Sequence, residues 1–579
     1  MHLLKGDPVT ANSGQLTGSF HIGMFRYHLI IRKPYGYPIA FVLYLAVSLI
    51  YFGLPVLSRS SESYIGSIND SFSFMWWLYW WPYAIARGLN PFLTQAVWAP
   101  VGYNLAWATG IPGLSFIAAP FTFTLGPVAA YNILMLLSPI LAAFTAYVLL
   151  FHLTGKFWPS LIGGFIFGFS SYEIGHLMGH LNLAFICMIP LCVYLTLLLF
   201  ENKIGTLKFI VFMGLTLFFQ FLISTEVFAT MTLLGVLILI LAVIISPDVR
   251  HGIISKGKFI LAAYGLAVVL LSPYLYYVFA FGYPTSPINL PSDYSAELLN
   301  LFLPTEITFI GQSQFYSVTA LFSGNNLENG AYIGLPLLLV ILIYFMQFWR
   351  TRTGKLLILS LCVIILASFG PILHIHGVKT IQLPWLIFAG LPLINQALPA
   401  RFMAFGFLII ALITALFLTN LGAKRLSKAA GYGLVVLGIV FLIPNLPGGY
   451  WHKPATTPAF FSQGIYRNYL DEGDTVIIFP YGYNGKSMLW QAETGMYFDM
   501  AGGYVGLTPE EFTDWPIVHT FYSGVLIPDY ENELKRFLIS HGVDAVIIEN
   551  SASSVFFQLF ESLDVRSQKI GGVTLYQIP

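Results

Sequence analysis

One polar run between two apolar stretches of the sequence combines an acid, two histidines and an amide. On a helix, Glu173, His176 and His180 would occupy positions i, i+3 and i+7 and would share one face. Two histidines four residues apart, with an acid beside them, have the spacing of metal ligands, and imidazole rings can also bind a substrate or its phosphate. Asn182 follows in the same run and is a further substrate-binding candidate. A structural polar corner would use the same residues, so the sequence leaves these three interpretations open.

Two charged residues stand at the ends of apolar runs. Glu226 separates two such runs, and an ionisable group beside a membrane span is costly, which makes it a substrate-binding candidate. Arg401 opens a later run, and its planar guanidinium suits the oxygens of a donor phosphate, although an arginine there could also extend to the membrane surface. Arg87 is the next candidate for the phosphate. Three weaker candidates occur together: His374, His376 and Lys379.

Asp70 is a lone acid at the start of a tryptophan-rich segment. Residues 75–86 carry four tryptophans and predict a helix lying in the membrane interface, since indole rings favour the level of the lipid headgroups. Asn69 and Asp70 directly precede this helix. Asp70 is therefore either a helix cap or a chemically active acid.

A second polar segment, residues 282–330, is rich in Asn, Ser and Thr and contains several acids. Such groups suit the recognition of sugar hydroxyls, and they equally suit an ordinary solvated loop. The acids are Asp293, Glu297, Glu306 and Glu328.

The composition indicates the class of protein in which these residues lie. Of 579 residues, 57% are hydrophobic and 9% are charged, whereas a soluble protein carries about a quarter charged residues. With a net charge of +1 there is no basic field for nucleic acid. The three cysteines offer neither a disulfide framework nor a CxxC metal motif. The chain is thus a polytopic membrane protein, which excludes a soluble enzyme, a disordered protein and a nucleic-acid binder.

Apolar runs that can cross about 30 Å of hydrocarbon need about 20 residues. The sequence predicts eleven spans, near 38–57, 128–151, 158–171, 183–200, 208–223, 227–246, 259–281, 331–349, 356–373, 402–420 and 430–446. A further run, 111–126, is short and interrupted by two prolines.

Lysine and arginine indicate the orientation, because they concentrate in cytoplasmic loops. If 111–126 does not cross and the N-terminus is inside, sixteen Lys and Arg residues are cytoplasmic and four are outside before residue 450. A crossing at 111–126 would reverse this asymmetry, so we predict a re-entrant or juxtamembrane segment there. The prediction is a multi-pass protein of the plasma (inner) membrane, with a cytoplasmic segment 1–37, a transmembrane domain 38–449 and a long outer loop 58–110.

The last part of the chain has a different composition. Residues 450–579 contain seven Lys and Arg and fifteen Asp and Glu, a net charge of −8. Short β-rich runs at 474–480, 544–549 and 573–578 flank a helical pattern at 531–541, which predicts a small extracytoplasmic α/β domain. Its glycine- and aromatic-rich segment, PYGYNGKSMLWQAETGMYFDMAGGYVG, either forms packed turns or faces the membrane site.

The order of these elements resembles the GT-C superfamily of membrane glycosyltransferases. The first span is followed by a long outer loop with an early acid, Asp70, and by a proline-interrupted apolar segment that ends in Phe-x-x-x-Leu-Gly-Pro. The next stretch, AAYNILMLLSPILAAFTAYVLLFHLTG, is similar to the second span of that superfamily. PLINQALPARF and the terminal GGVTLYQIP are similar to its YfhO-like branch. The resemblance covers most of the chain and implies a GT-C-like helical fold.

The resemblance also implies an activity in the bacterial cell envelope. A hexose or pentose would pass from a polyprenyl-phosphate donor to a hydroxyl of a glycan, lipid or protein acceptor on the outer side, with membrane lipids as the surrounding partners. It gives Asp70 the role of general base, and one base suffices for an inverting transfer because phosphate is a good leaving group. The superfamily's loop often carries two acids, whereas divalent cations need several oxygen ligands and this loop has one Asp. We therefore expect no essential metal and no other cofactor.

Two other functions remain open from the sequence. A transporter or flippase of lipid-linked sugars often shows paired inverted repeats, and the chain contains no recognisable second copy. A non-catalytic protein of polysaccharide assembly is the other alternative. For the transferase, we predict that six residues line one cavity open to the outer leaflet: Asp70, Glu173, His176, His180, Glu226 and Arg401.

Overall fold

Apolar segments form helices in the first three quarters of the chain, because a backbone in lipid must satisfy its polar groups internally. The computed structural model describes residues 35–281, 289–387, 394–422, 424–561, 563 and 565–579. Residues 1–34 of the predicted cytoplasmic segment 1–37 therefore lie outside the described residues. The main helices before residue 450 are Gly36–Ser48, Asp70–Ala86, Pro112–Leu125, Pro127–Thr154, Phe157–Gly168, Met188–Phe200, Thr206–Ile223, Thr225–Ile245, Pro247–Leu270, Ser272–Ala280, Leu335–Phe348, Arg352–Ser368, Met403–Thr419 and Arg425–Phe441.

Seven helical stretches within the described ranges are long and apolar enough to cross a membrane. They are Gly36–Leu57, Pro127–Thr154, Leu181–Phe200, Thr206–Ile223, Thr225–Ile245, Arg250–Leu270 and Pro399–Thr419. The other four predicted spans are helices of 12 to 17 residues: Phe157–Gly168, Leu335–Phe348, Arg352–Ser368 and Arg425–Phe441. A 12-residue helix is only about 18 Å long, so its length alone does not establish a crossing.

The outer loop contains one long helix, Asp70–Ala86, which we call the loop helix. Its tryptophans are buried inside the protein, so the prediction of indoles at the headgroup level is wrong. Trp76 stacks on Trp80 and Trp77 on Trp81, with exposures of 0 to 3%. The loop helix is covered by Pro112–Leu125, which we call the juxtamembrane helix, and by a helix of the C-terminal region.

The C-terminal region contains a five-stranded mixed sheet. Its strands lie in the spatial order Ser567–Ile570, Val573–Gln577, Ala545–Glu549, Thr475–Phe479 and Asp499–Met500. The last three run parallel, and Val573–Gln577 is antiparallel to both of its neighbours. The helices Ser487–Glu493, Pro516–Ser523, Tyr530–Ser540 and Ser554–Glu561 accompany the sheet. Three of these strands and the helix near 531–541 match the sequence pattern.

The outer loop extends the sheet of the C-terminal region. Val97 forms a parallel bridge with Met500, and the neighbouring Trp98 N–H donates to the carbonyl of Gly502 at 2.9 Å. Elsewhere Ser63–Tyr64 pairs antiparallel with Lys453–Pro454. Buried residues of both regions belong to one continuous hydrophobic core. The loop and the C-terminal region therefore pack together as one body.

Candidate active site

Five ionisable side chains from distant parts of the chain meet at the start of the loop helix. Asp70 Oδ2 lies 3.5 Å from His180 Nε2, and His180 Nδ1 lies 3.8 Å from Glu328 Oε1. Arg401 Nε donates to both oxygens of Glu328 at 3.1 and 3.0 Å, and Arg401 Nη1 donates to Glu226 Oε2. We call these five residues the charged cluster. Three carboxylates thus surround one guanidinium and one imidazole.

Arg401 is held at the start of a membrane helix by both of its acidic partners. It lies in the short 3₁₀ turn Pro399–Phe402, directly before the helix Met403–Thr419. Glu226 occupies the first turn of Thr225–Ile245, and its Oε1 also accepts the backbone N–H of Leu398 at 3.0 Å. A planar guanidinium can bind two carboxylates in this way because it presents five N–H donors in one plane.

Asp70 faces the cluster and does not cap its helix through its side chain. Its Oδ1 accepts the hydroxyl of Tyr504 at 3.0 Å, and its side chain is 36% exposed, the most of the cluster's ion-paired acids. Burial alone would raise the pKa of Asp70, but His180, the Tyr504 hydroxyl and the charge of Arg401 outweigh it and hold the pKa below its ordinary value. Asp70 is therefore an ionised carboxylate that remains accessible.

Two glycines allow the outer loop to approach the turn that carries His180. Gly179 has φ +154°, and a Cβ there would lie 2.3 Å from Cγ1 of Ile68. Gly66 has φ +152°, and the next residue, Ser67, donates its N–H to the carbonyl of Met178 at 2.8 Å. Side chains at the two glycines would push apart the segments that bring Asp70 to His180.

The helix with the two histidines ends earlier than the i, i+3, i+7 prediction requires. It spans Ser171–His176, and His180 lies beyond the following turn. The predicted shared face of three residues is therefore wrong, although the turn brings His176 Nδ1 to 3.1 Å from His180 Nδ1. Burial lowers the pKa of His176 well below its usual value, so its ring is neutral.

Glu173 does not join the charged cluster. Its side chain is fully buried, and within the described part of the chain neither carboxylate oxygen has a hydrogen-bond partner. Burial raises the pKa of Glu173 well above its usual value, which favours the neutral acid. The prediction of Glu173 as a substrate-binding residue in the common cavity is therefore corrected: it lies behind the site, in the protein interior.

Arg87 is separated from the other phosphate candidates by the length of the loop helix. It follows the last residue of that 17-residue helix, so it lies about 25 Å from Asp70. Arg87, the second candidate for the donor phosphate, therefore does not lie beside Asp70 and the charged cluster. Asn182 is buried on the short helix Leu181–Ala184, two residues after His180.

The weaker candidates near residue 374 form a separate polar group. His374 and Lys379 belong to the hairpin Ile372–Ile375 and Val378–Gln382. Lys379 Nζ lies 3.1 Å from Asp293 Oδ1, and the backbone N–H of His376 donates to Glu297 at 2.7 Å. Asp293 and Glu297, two acids of the 282–330 segment, therefore support the hairpin.

The sequence pattern did not single out Glu328 and Tyr504 as individual candidates. Glu328 is one of four acids of a segment that suits either sugar recognition or a solvated loop, yet its side chain is only 3% exposed and it binds Arg401. Asn325 Oδ1 accepts the N–H of Glu328 at 3.2 Å and fixes this turn. Tyr504 comes from the glycine- and aromatic-rich segment for which facing the membrane site was one of two interpretations. The weak signal in both cases was an Asn- or Gly-rich turn.

Two residues of the charged cluster, together with His176, have the geometry of a metal site. One ligand atom each of His176, His180 and Glu328 lies within 4.8 Å of the others. Both oxygens of Glu328, however, already accept hydrogen bonds from Arg401. A carboxylate has further acceptor positions, so a divalent cation there would lie beside the guanidinium and be repelled by its charge. The residues thus offer metal ligands, and the charge of Arg401 opposes an ion at this place.

Comparisons with known proteins identify the family and the fold. The family model described as "Domain of unknown function (DUF6311)" matches residues 41–440, so the chain belongs to that family. The search of curated proteins gave no match.

Three solved structures share the fold at low sequence identity. An Archaeoglobus fulgidus oligosaccharyltransferase in the apo form is 12% identical with a TM-score of 0.50, over 89% of this chain and 70% of that one. The A. fulgidus oligosaccharyltransferase AglB, in complex with an inhibitory peptide and a dolichol-phosphate, is 12% identical with a TM-score of 0.50, over 94% of this chain and 75% of that one. The mycobacterial arabinofuranosyltransferase AftD is 11% identical with a TM-score of 0.60, over 95% of this chain and 42% of AftD. The chain therefore has a GT-C-like fold.

Proposed function

We propose that this member of the DUF6311 family is a membrane glycosyltransferase of the GT-C type that uses a polyprenyl-phosphate sugar donor on the extracytoplasmic side. Its fold is shared with an oligosaccharyltransferase and an arabinofuranosyltransferase, and AglB holds a dolichol-phosphate. We also propose the YfhO-like branch and eleven crossings, on the sequence patterns given above. The observation that carries the proposal is an ionised, accessible Asp70 held between His180 and Tyr504.

The proposed reaction is an inverting transfer with Asp70 as general base. The acceptor oxygen attacks the anomeric carbon of the donor sugar while its proton passes to Asp70. The bond between that carbon and the phosphate oxygen breaks, and the polyprenyl phosphate leaves with the electron pair. A carboxylate has about four acceptor positions, so Asp70 can take this proton while it still accepts the Tyr504 hydroxyl.

The departing phosphate gains negative charge, and fixed donors in a dry site stabilise such charge better than water does. Arg401 is the first proposed donor. Its three nitrogens bind Glu226 and Glu328 with one N–H each, which leaves one N–H on each Nη nitrogen for a phosphate oxygen. His180, helped by His176, is the second, because its ring lies between Asp70 and Glu328.

The proposal includes no essential metal. The Arg401 guanidinium already supplies one positive charge beside the carboxylates of Glu226 and Glu328. A divalent cation would therefore compete with this arginine for the same oxygens.

The test is transfer by the purified full-length chain in proteoliposomes, using a panel of radiolabelled polyprenyl-phosphate sugars and an extract of acceptor lipids and glycans. We expect a radiolabelled product that is lost in Asp70→Asn and that still forms in the presence of EDTA. Movement of the donor across the bilayer without a new glycosidic bond would identify a flippase instead. Loss of product in EDTA and its recovery with Mn²⁺ or Mg²⁺ would place a metal at His176, His180 and Glu328.

A further inference from the structure

A cavity of about 610 Å³ opens at the far end of the loop helix, where this helix meets the C-terminal region. It is lined by two arginines, Arg87 from the loop helix and Arg467 from the C-terminal region, and by one acid, Glu472. Arg87 lies about 25 Å from Asp70 along the loop helix. The cavity is therefore separate from the charged cluster.

Both arginines rest on aromatic rings. The guanidinium carbon of Arg87 lies 5.6 Å from the ring centroid of Tyr83, and that of Arg467 lies 5.6 Å from Tyr466 and 5.9 Å from Tyr497. Across the described ranges neither guanidinium has an ion-pair partner within 4.0 Å. Arg467 Nε donates to the Tyr466 hydroxyl at 3.3 Å, so its two Nη groups remain for an anion. Rings fix the position of a guanidinium in this way and leave most of its N–H groups for a further partner. Two such groups facing one cavity form a site for a phosphate.

The neighbouring surface indicates where this anion comes from. Phe123 lines the cavity, packs edge-on against Tyr79 with centroids 5.4 Å apart, and is 50% exposed. The rest of the juxtamembrane helix continues this apolar surface, with 45 to 57% exposure at Phe116, Ile117, Phe121 and Leu125. An apolar helix face of this kind is suited to acyl chains. The cavity thus lies at the border between a surface fit for acyl chains and a polar domain.

We propose that this cavity binds the phosphate headgroup of an anionic membrane lipid. Arg87 and Arg467 hold the phosphate from the two sides, Glu472 faces the glycerol hydroxyls, and the acyl chains lie along Phe123 and the juxtamembrane helix. The lipid would tie the C-terminal region to the membrane surface at the end of the loop helix opposite to the charged cluster. This site is independent of the proposed transferase activity.

The test measures binding of dioleoyl phosphatidylglycerol to the full-length protein in an uncharged detergent by native mass spectrometry. The Arg87→Gln/Arg467→Gln variant should bind this lipid at least about tenfold more weakly, because each charge-assisted hydrogen bond contributes about that factor. The matched control, Arg566→Gln/Lys569→Gln, removes two exposed cations of the C-terminal region outside the cavity and should stay within about twofold of wild type.

Three results would overturn the proposal. One is equal lipid binding by wild type and the Arg87→Gln/Arg467→Gln variant. Another is an equal loss in the control, which would mean general charge attraction. The third concerns competition on wild type. If glycerol phosphate displaces the bound lipid at as low a concentration as added phosphatidylglycerol does, the cavity is a site for soluble anions. If the double variant unfolds, the single variant Arg467→Gln, at an exposed position, and the displacement experiment on wild type decide the matter.

Discussion

Asp70 is the residue on which the proposed chemistry depends. Asp70→Asn keeps the size of the side chain but cannot accept the acceptor's proton, so turnover should fall by about 10²–10⁴-fold. The measurement is the initial rate of sugar transfer in proteoliposomes. Asp293→Asn is the control, since it removes an exposed acid that pairs only with Lys379 among the described residues. Asp70→Asn turnover within a few-fold of wild type would disprove the assignment of the base.

Tyr504, in the C-terminal region, should lower the pKa of Asp70. Burial and the neighbouring Asp70 carboxylate raise the pKa of Tyr504. The phenol therefore stays protonated and donates a hydrogen bond to Asp70. Tyr504→Phe removes a donor that lowers the pKa of Asp70. Because the base must be ionised, the acidic limb of the kcat/KM profile should move to higher pH. The rate at neutral pH, where Asp70 is ionised in both enzymes, should change much less.

The pH profile distinguishes this role from a structural one. A Tyr504→Phe enzyme that is slower at every pH, with an unmoved acidic limb, would show that the hydroxyl only supports packing. Tyr522→Phe is the matched control, because its hydroxyl contacts Thr508 at 3.1 Å and lies outside the cluster.

Glu328 should be a stability determinant of the cluster as well as part of the site. Burial by itself would raise the pKa of Glu328, but the Arg401 guanidinium reverses this and holds it below its usual range. Removing one partner of a buried ion pair typically costs about 3–5 kcal/mol. We expect Glu328→Gln to lower the thermal unfolding midpoint clearly in detergent. Glu306→Gln, in the same segment, should leave it nearly unchanged, and equal midpoints for both variants would contradict this role.

At the scale of elements, the sequence predicted what local patterns encode. The apolar runs gave the long helices, and the alternation near residues 474–480 and 544–549 matched the strands Thr475–Phe479 and Ala545–Glu549. The end of the histidine helix was missed because it depends on a turn at Gly179 that is set by packing against Ile68. The role of Glu328 was missed because its partner Arg401 is 73 residues away. Long-range pairing of this kind leaves no periodic signal.

The docking of the loop helix against the C-terminal region depends on one buried glutamine. Gln491 accepts the indole N–H of Trp76 at 2.6 Å and donates to the carbonyls of Ala96 and Phe498 at 2.7 and 2.8 Å. Gln491→Leu would remove the Gln491 partner of the Trp76 indole N–H and of the Phe498 carbonyl, at about 1–3 kcal/mol for each buried group left unsatisfied. The Ala96 carbonyl would keep only the N–H of Met500. We expect a lower unfolding midpoint and faster proteolysis after residue 449. The exposed change Gln463→Leu should have neither effect, and resistance of Gln491→Leu to protease would contradict the prediction.

At the scale of the whole molecule, the shared sheet restricts how the chain can cross the membrane. Val97 in the outer loop pairs with Met500, so the two regions must lie on the same side. The number of crossings between them is therefore even. Ten predicted spans lie between these regions, and a crossing at 111–126 would make the number odd. If all ten predicted spans cross, this even number requires the juxtamembrane interpretation of Pro112–Leu125.

The side on which this body lies can be tested with single cysteines, after the three native cysteines have been replaced by alanine. Ser462→Cys lies on the exposed surface of the C-terminal region, and Ser427→Cys lies among the cations that we predict to be cytoplasmic. Because Lys and Arg are retained on the cytoplasmic side, a membrane-impermeant maleimide should label Ser462→Cys in intact cells and Ser427→Cys only after permeabilisation. The reverse pattern would place Asp70 inside the cell, where a donor presented on the outer leaflet could not reach it.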